Sequence, residues 1–156
     1  MKVLANDGIA TSGVIALEKA GFEVILKTVA QEQLPEYINE NEVDVLLVRS
    51  ATKVRKDIID GCKSLKIIGR GGVGMDNIDV DYARSKGIKV INTPAASSHS
   101  VAELVFAHLF GMVRFLHDSN QNMPLEGDSK FKELKKSYYK VIYIKGKTLL
   151  ILDFFR

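Results

Sequence analysis

Val43-Asp44-Val45-Leu46-Leu47-Val48 (VDVLLV) is a run rich in β-branched residues and apolar at neighbouring positions. Side chains along a strand point alternately to opposite faces, so such a run needs cover on both sides, as a central parallel strand has. Upstream, Gln31–Asn39 carries a helical pattern with Pro35 near its first turn, where a missing N–H does no harm. Before it, Phe22–Leu26 reads as a strand, Ile9–Ala20 as a helix closed by Gly21, and Lys2–Ala5 as a first strand. Downstream, Asp57–Cys62 is a short helix and Lys66–Ile68 a strand; Asp79–Lys86 is a helix ended by Gly87, and Lys89–Ile91 a fifth strand. This alternation predicts an α/β fold with a flavodoxin-like parallel sheet and helices on both faces. Ligands of such sheets sit beside the strand C-termini.

After Pro94 the pattern changes. Ser100 with Glu103 three residues on forms a capping box and marks a helix start. Val101, Leu104, Val105, His108, Leu109, Met112, Val113 and Leu116 fall on one stripe at helical spacing, with Phe106, Phe110 and Phe115 off it. A helix apolar all round is covered on more than one side, and a second subunit is the expected cover. The region 100–116 is therefore read as the contact of a homodimer. His117–Lys145 is polar and lysine-rich, with a short helix expected at Asp128–Lys136, and Gly146–Leu152 (GKTLLIL) reads as one more buried strand.

The totals narrow the function classes. With 46% hydrophobic and 26% charged residues the chain has the composition of a soluble globular protein. The net charge of +3 is small and spread along the chain; it mildly favours an anionic substrate and does not by itself indicate nucleic acid. Cys62 is the only cysteine, so no internal disulfide forms, and a reducing cytoplasm is the expected location. The longest apolar stretch, Val101 to Val113, is broken by Glu103 and His108 and is too short to span a bilayer; no membrane role is expected. The three histidines lack metal-ligand spacing, so no metal is expected. The lysines between Lys130 and Lys147 alternate with Tyr138, Tyr139 and Tyr143, a mixture found on nucleic-acid surfaces. Apolar positions and Glu133 dilute them, which favours a solvated helix face.

Three segments carry candidate chemistry. Arg49–Ser50–Ala51–Thr52–Lys53 follows the central strand, and an arginine there can grip a carboxylate or phosphate with two hydrogen bonds, unless the segment is only a solvated loop. Gly69–Arg70–Gly71–Gly72–Val73–Gly74 follows the fourth strand; its glycines let backbone N–H groups approach an anion, and Arg70 adds charge. No helix cap follows directly and no acid stands at the usual distance, so this is not a dinucleotide fingerprint in its usual setting, and a tight structural turn explains the glycines almost as well. Asp76 and Asn77 read as turn-shaping residues. Asn92–Thr93–Pro94 leads to Ser97, Ser98, His99 and Ser100, a helix N-terminus suited to a polar ligand group or simply to capping. His99 is a general base by residue type, though an exposed histidine near the cap is the better reading; His117 reads as a surface residue, and His108 as a core or interface residue. Cys62 reads as a buried helix-end residue.

VRSATKV (Val48–Val54), IIGRGGVGMDNID (Ile67–Asp79), KGIKVINTPAASSHSVAELVFAHLFGMVR (Lys86–Arg114) and GKTL (Gly146–Leu149), in this order, resemble the D-isomer-specific 2-hydroxyacid dehydrogenases. The Arg49–Ser50 pair resembles the branch that acts on 3-phosphoglycerate rather than the D-lactate branch. The resemblance implies a substrate domain over residues 1–93. Residues 94–156 would hold the crossover and dimer helix, a lysine-rich arm and the first strand of an incomplete Rossmann domain. It assigns Arg49 and Ser50 to the phosphorylated substrate, and the Gly71, Gly72, Val73 and Gly74 backbone to its carboxylate with Arg70 close by. Asn92 would line the same cleft, and Val73 and Val101 would border the cofactor, NAD. The implied reaction oxidises 3-phosphoglycerate to 3-phosphohydroxypyruvate at the entry to serine biosynthesis. Hydroxypyruvate or glyoxylate reduction is the alternative within the family, and a non-catalytic dimerising module the alternative outside it. The family continues GKTL into a glycine-rich turn that seats the pyrophosphate, and its catalytic arginine, glutamate and histidine lie further on. Here the sequence reads LLILDFFR, with Leu150, Asp153 and Phe155 where glycines are expected, so the chain by itself is expected to be inactive.

Overall fold

A computed structural model describes residues 1–152. The VDVLLV run supplies β3 (Val45–Val48), the middle of a five-stranded parallel sheet with β1 (Lys2–Ala5), β2 (Glu23–Ile25), β4 (Ile67–Arg70) and β5 (Lys89–Asn92). The strand order is β2-β1-β3-β4-β5, the flavodoxin-like order. Leu4, Leu46, Ile68 and Val90 stand in register across four neighbouring strands, and all four are buried. Burial of each such side chain contributes about 1.5–3 kcal/mol.

The connections fix which face each helix covers. The chain steps outward once, through α1 (Thr11–Lys19), and then back across the sheet through α2 (Leu34–Glu40), α3 (Lys56–Gly61) and α4 (Val80–Ser85). Right-handed crossovers place α1 on one face and the other three on the opposite face. The packing of α2 on α3 and of α3 on α4 agrees with this. The main core lies on the three-helix face, where Leu34, Ile38, Ile58, Ile59 and Ala83 meet the strands. Cys62 is buried there, as read, and burial pushes its thiol up to about 11.

The chain divides into two compact units, Met1–Ala96 and the residues from Ser97 on. In the second unit α5 (Ser98–Val113) begins two residues before the expected capping box: Ser97 is the N-cap, with no side-chain cap hydrogen bond. The expected stripe does not run through to Leu116, because Phe115 adopts a left-handed backbone (φ 55°, ψ 33°) and turns the chain into α6 (Leu116–Tyr138). The two helices are bent by 52° at this break. Helix extends well beyond the expected Asp128–Lys136, passing through Pro124 and losing helical geometry only at Lys130. Tyr138 returns to pack on Phe115, and its hydroxyl donates to Asp118 O at 3.1 Å.

Gly146–Leu152 is not the buried strand expected for a Rossmann start. Its described residues join no sheet, and Leu150 and Leu152 are exposed. A strand is stabilised by a ladder to a neighbour, and no other strand of the second unit is present among the described residues. The readings made for Asp153 and Phe155 lie outside the described residues. Among those residues, no single helix is long and apolar enough to cross a membrane.

Candidate functional site

The loops leaving β1, β3, β4 and β5 meet at the C-terminal edge of the sheet and line a cleft of about 730 Å³. Its floor is apolar and its rim polar. Leu47, Gly69 and Ile91 lie side by side on neighbouring strands to form the floor. A Cβ at Gly69 would stand 2.7 Å from Leu47 Cδ2, so the bare glycine gives the leucine room to lie across β4. The rim carries Asp7, Arg49, Arg70, Gly71, Asn92 and Thr93.

Arg70 ends β4 opposite Val48, and Arg49 is the first residue past β3, so register alone brings both arginines to one rim. Neither takes part in an ion pair among the described residues. Arg70 is half-buried, its Nε has no partner, and its guanidinium lies over the Cα of Gly72 where any side chain would collide with it. Two cationic forks without counter-charges attract an anion and suit the paired oxygens of a carboxylate or phosphate.

The glycine turn is held firmly. Gly71 N–H donates to Val48 O at 2.9 Å and Gly72 N–H to Arg70 O at 3.0 Å. Asn92 Nδ2 donates to Val73 O at 2.7 Å, and Thr93 N–H to Gly72 O at 3.1 Å. Of the four amides expected to face an anion, those of Gly71 and Gly72 are therefore occupied. Those of Val73 and Gly74 have no acceptor among the described residues. Asn92 lines the cleft and also holds the turn.

Sequence reasoning passed over Asp7, which follows β1. Its Oδ2 accepts Arg49 N–H at 2.6 Å and Thr52 N–H at 3.1 Å, and its Oδ1 accepts Thr52 Oγ1–H at 2.5 Å. Burial opposes ionisation of this carboxyl. The hydrogen bonds from the Thr52 hydroxyl and the backbone N–H groups of Arg49, Thr52 and Ala51 outweigh it, holding the group below the usual carboxylate range. Asn6 Nδ2 donates to Thr52 Oγ1 at 2.8 Å. Asn77, read as a turn residue, is buried and clamps the same loop from the other side, donating Nδ2 to Arg49 O and to Thr52 O at 2.7 Å each. The one sequence signal that could have pointed to Asp7 is its position two residues past the end of β1, since ligand groups collect after strands.

The cleft thus gathers Arg49, Arg70, Gly71 and Asn92 from among the expected residues. Ser50, Gly72, Val73 and Gly74 flank it on the same loops without lining it. Val101 lies on α5 in the second unit and is exposed. The cleft contains no histidine: His99 and His108 lie on α5 and His117 on α6, all exposed, so His108 is not a core residue of its unit. The glycine turn does not provide a seat for a dinucleotide pyrophosphate. Such a seat ends on a helix N-terminus, whereas here the next helix begins only at Val80 and has six residues.

Residues 3–141 match the family described as D-isomer specific 2-hydroxyacid dehydrogenase, catalytic domain. The chain is 38% identical over 152 residues to the D-3-phosphoglycerate dehydrogenase of Methanocaldococcus jannaschii, covering 97% of this chain and 28% of that protein. It is 43% identical over 140 residues to the hydroxypyruvate reductase of Thermotoga maritima, covering 90% and 43%. Among solved structures, the NAD+-bound 3-phosphoglycerate dehydrogenase of Entamoeba histolytica superposes with a TM-score of 0.59 at 35% identity, covering 73% of this chain and 39% of that one. The chain spans less than half the length of each of these relatives.

Proposed function

The chain belongs to the D-isomer specific 2-hydroxyacid dehydrogenases, a family of oxidoreductases, and on that premise we propose that its cleft takes a small phosphorylated 2-hydroxy acid, 3-phosphoglycerate. The reaction would be oxidation to 3-phosphohydroxypyruvate at the entry to serine biosynthesis, with NAD, when bound, accepting the hydride. The observation that carries the reading is the pair of unpaired arginines, Arg49 and Arg70, on the ends of adjacent strands beside one cleft. Arg49 and the Ser50 hydroxyl donate to the phosphate. The free amides of Val73 and Gly74 hold the carboxylate at the turn, with Arg70 beside it, and Asn92 keeps the turn in shape. In this division of labour the cleft binds and orients. Val73, exposed and apolar, is assigned to the edge of a nicotinamide, and no step is routed through that group.

Assembly belongs to the same reading. Val101, Leu104, Phe106, Phe110 and Met112 of α5 are exposed, and a homodimer through 100–116 would bury them. The substrate domain corresponds to residues 1–93, and the crossover and dimer region begins at Pro94. A cytoplasmic location, without nucleic acid or membrane as partner, goes with this assignment.

A calorimetric titration with 3-phosphoglycerate and with glycerate tests it. Arg49→Ala should weaken binding of the phosphorylated acid by about 2–3 kcal/mol, the scale of a lost charge-assisted contact. Equal affinity for the two acids, or an unaffected variant, would count against it. The second reading, a hydroxypyruvate reductase, is favoured by the 43% identity to the Thermotoga maritima enzyme, and it predicts that equal affinity.

A further inference from the structure

Asp7 poses a question of charge. It is a carboxylate on the rim of a cleft read as an anion site, next to the arginine assigned to the anion, and at first sight it should repel the ligand and neutralise the arginine. The hydrogen bonds show otherwise. Both of its oxygens are directed at the backbone and hydroxyl of the Arg49–Thr52 turn: Arg49 N–H at 2.6 Å, Thr52 N–H at 3.1 Å and Thr52 Oγ1–H at 2.5 Å. It forms no ion pair with the guanidinium of Arg49 or of Arg70 among the described residues.

The turn is gripped from two sides. Asp7 takes its N–H groups, and Asn77 Nδ2 takes its carbonyls, Arg49 O and Thr52 O, each at 2.7 Å. Asn6 in turn orients Thr52: its Nδ2 donates to Thr52 Oγ1 at 2.8 Å, which leaves the hydroxyl proton for Asp7. Asn6 is itself anchored, with Val29 N–H donating to its Oδ1 at 2.8 Å. The backbone at Arg49 is therefore fixed by side chains from the loops after β1 and β4, while its own side chain stays exposed and unpaired.

We propose that Asp7 is a positioning residue for Arg49: it holds the arginine's backbone so that the guanidinium meets the anionic group of the substrate already in place. This deepens the substrate reading above and rests on it. The carboxylate contributes by charge-assisted hydrogen bonds to N–H groups, which are roughly twice as strong as neutral ones. Preorganised donors bind an anion without having to be ordered first.

A double-mutant cycle in the full chain tests the proposal, because coupling between two sites appears as non-additivity. The readout is the ratio of affinities for 3-phosphoglycerate and glycerate in wild type, Asp7→Ala, Arg49→Ala and the double variant. A purely structural role for Asp7 would lower stability or weaken both ligands together and leave the ratio alone. The proposal expects Asp7→Ala to reduce the ratio about tenfold when Arg49 is present and to change it little when Arg49 is already alanine. An unchanged ratio in Asp7→Ala, or an equal reduction in both backgrounds, overturns the proposal and leaves the substrate reading standing. A ratio unchanged by Arg49→Ala overturns the substrate reading and the proposal with it. Asp7→Asn, of the same shape but uncharged, is read in the same way should Asp7→Ala fail to fold. It is expected to lie between wild type and alanine, and a wild-type ratio in Asp7→Asn would overturn the role given to the charge.

Discussion

Asn77 carries more of the site's architecture than its place in a turn suggests. Its buried amide satisfies two backbone carbonyls of the Arg49–Thr52 loop, and removing it leaves both without that donor. Asn77→Ala should therefore destabilise the fold by about 1–3 kcal/mol, the cost of orphaned buried acceptors. Urea unfolding measures this, and a variant as stable as wild type would show that water replaces the amide at no cost. Arg49 and Arg70 were legible in the sequence because a basic residue just past an apolar strand has few structural reasons to be there. Asp7 was not, because Asn6-Asp7-Gly8 also reads as an ordinary turn, and the carboxylate's partners come from more than 40 positions away along the chain. Hydrogen bonds over such separations leave no periodic trace in a sequence.

Elements were legible where neighbours constrained them. VDVLLV and the runs around it became strands because each finds a ladder on one or both sides, and the helices between them followed from alternation. GKTLLIL has the same apolar letters and no ladder among the described residues, and it is not a strand. The short helix expected at Asp128–Lys136 is the end of a longer one, α6, which runs through Pro124; its interruption falls at Lys130, a residue with no local signal for it. For α5 the periodicity predicted the helix and a second subunit as its cover; the chain's own packing buries only Val113. If α5 pairs with its copy, Phe110→Asp should leave a monomer in sedimentation velocity, because the dimer would bury an uncompensated charge. A Phe110→Asp variant that sediments as wild type would mean that the face is wrongly chosen.

Across the molecule, fold and site share one origin. A parallel sheet in the order β2-β1-β3-β4-β5 brings the ends of β1, β3, β4 and β5 to one edge, so four loops distant in sequence become the walls of one cleft. The apolar floor follows from the sheet face below, and the charge from the residues just past the strands. Strand register puts Arg49 beside Arg70, while the Asp7 and Asn77 clamps hold the Arg49 backbone and leave its cation free. On the proposed reading this rim receives a phosphorylated 2-hydroxy acid. The most direct test is a map of backbone amide shifts in the full chain, by ¹⁵N–¹H nuclear magnetic resonance, as 3-phosphoglycerate is added. Saturable shifts centred on Arg49, Ser50 and Gly71 to Gly74 are expected, and much weaker ones with glycerate. Shifts that centre elsewhere, or that are the same for the two acids, would contradict it.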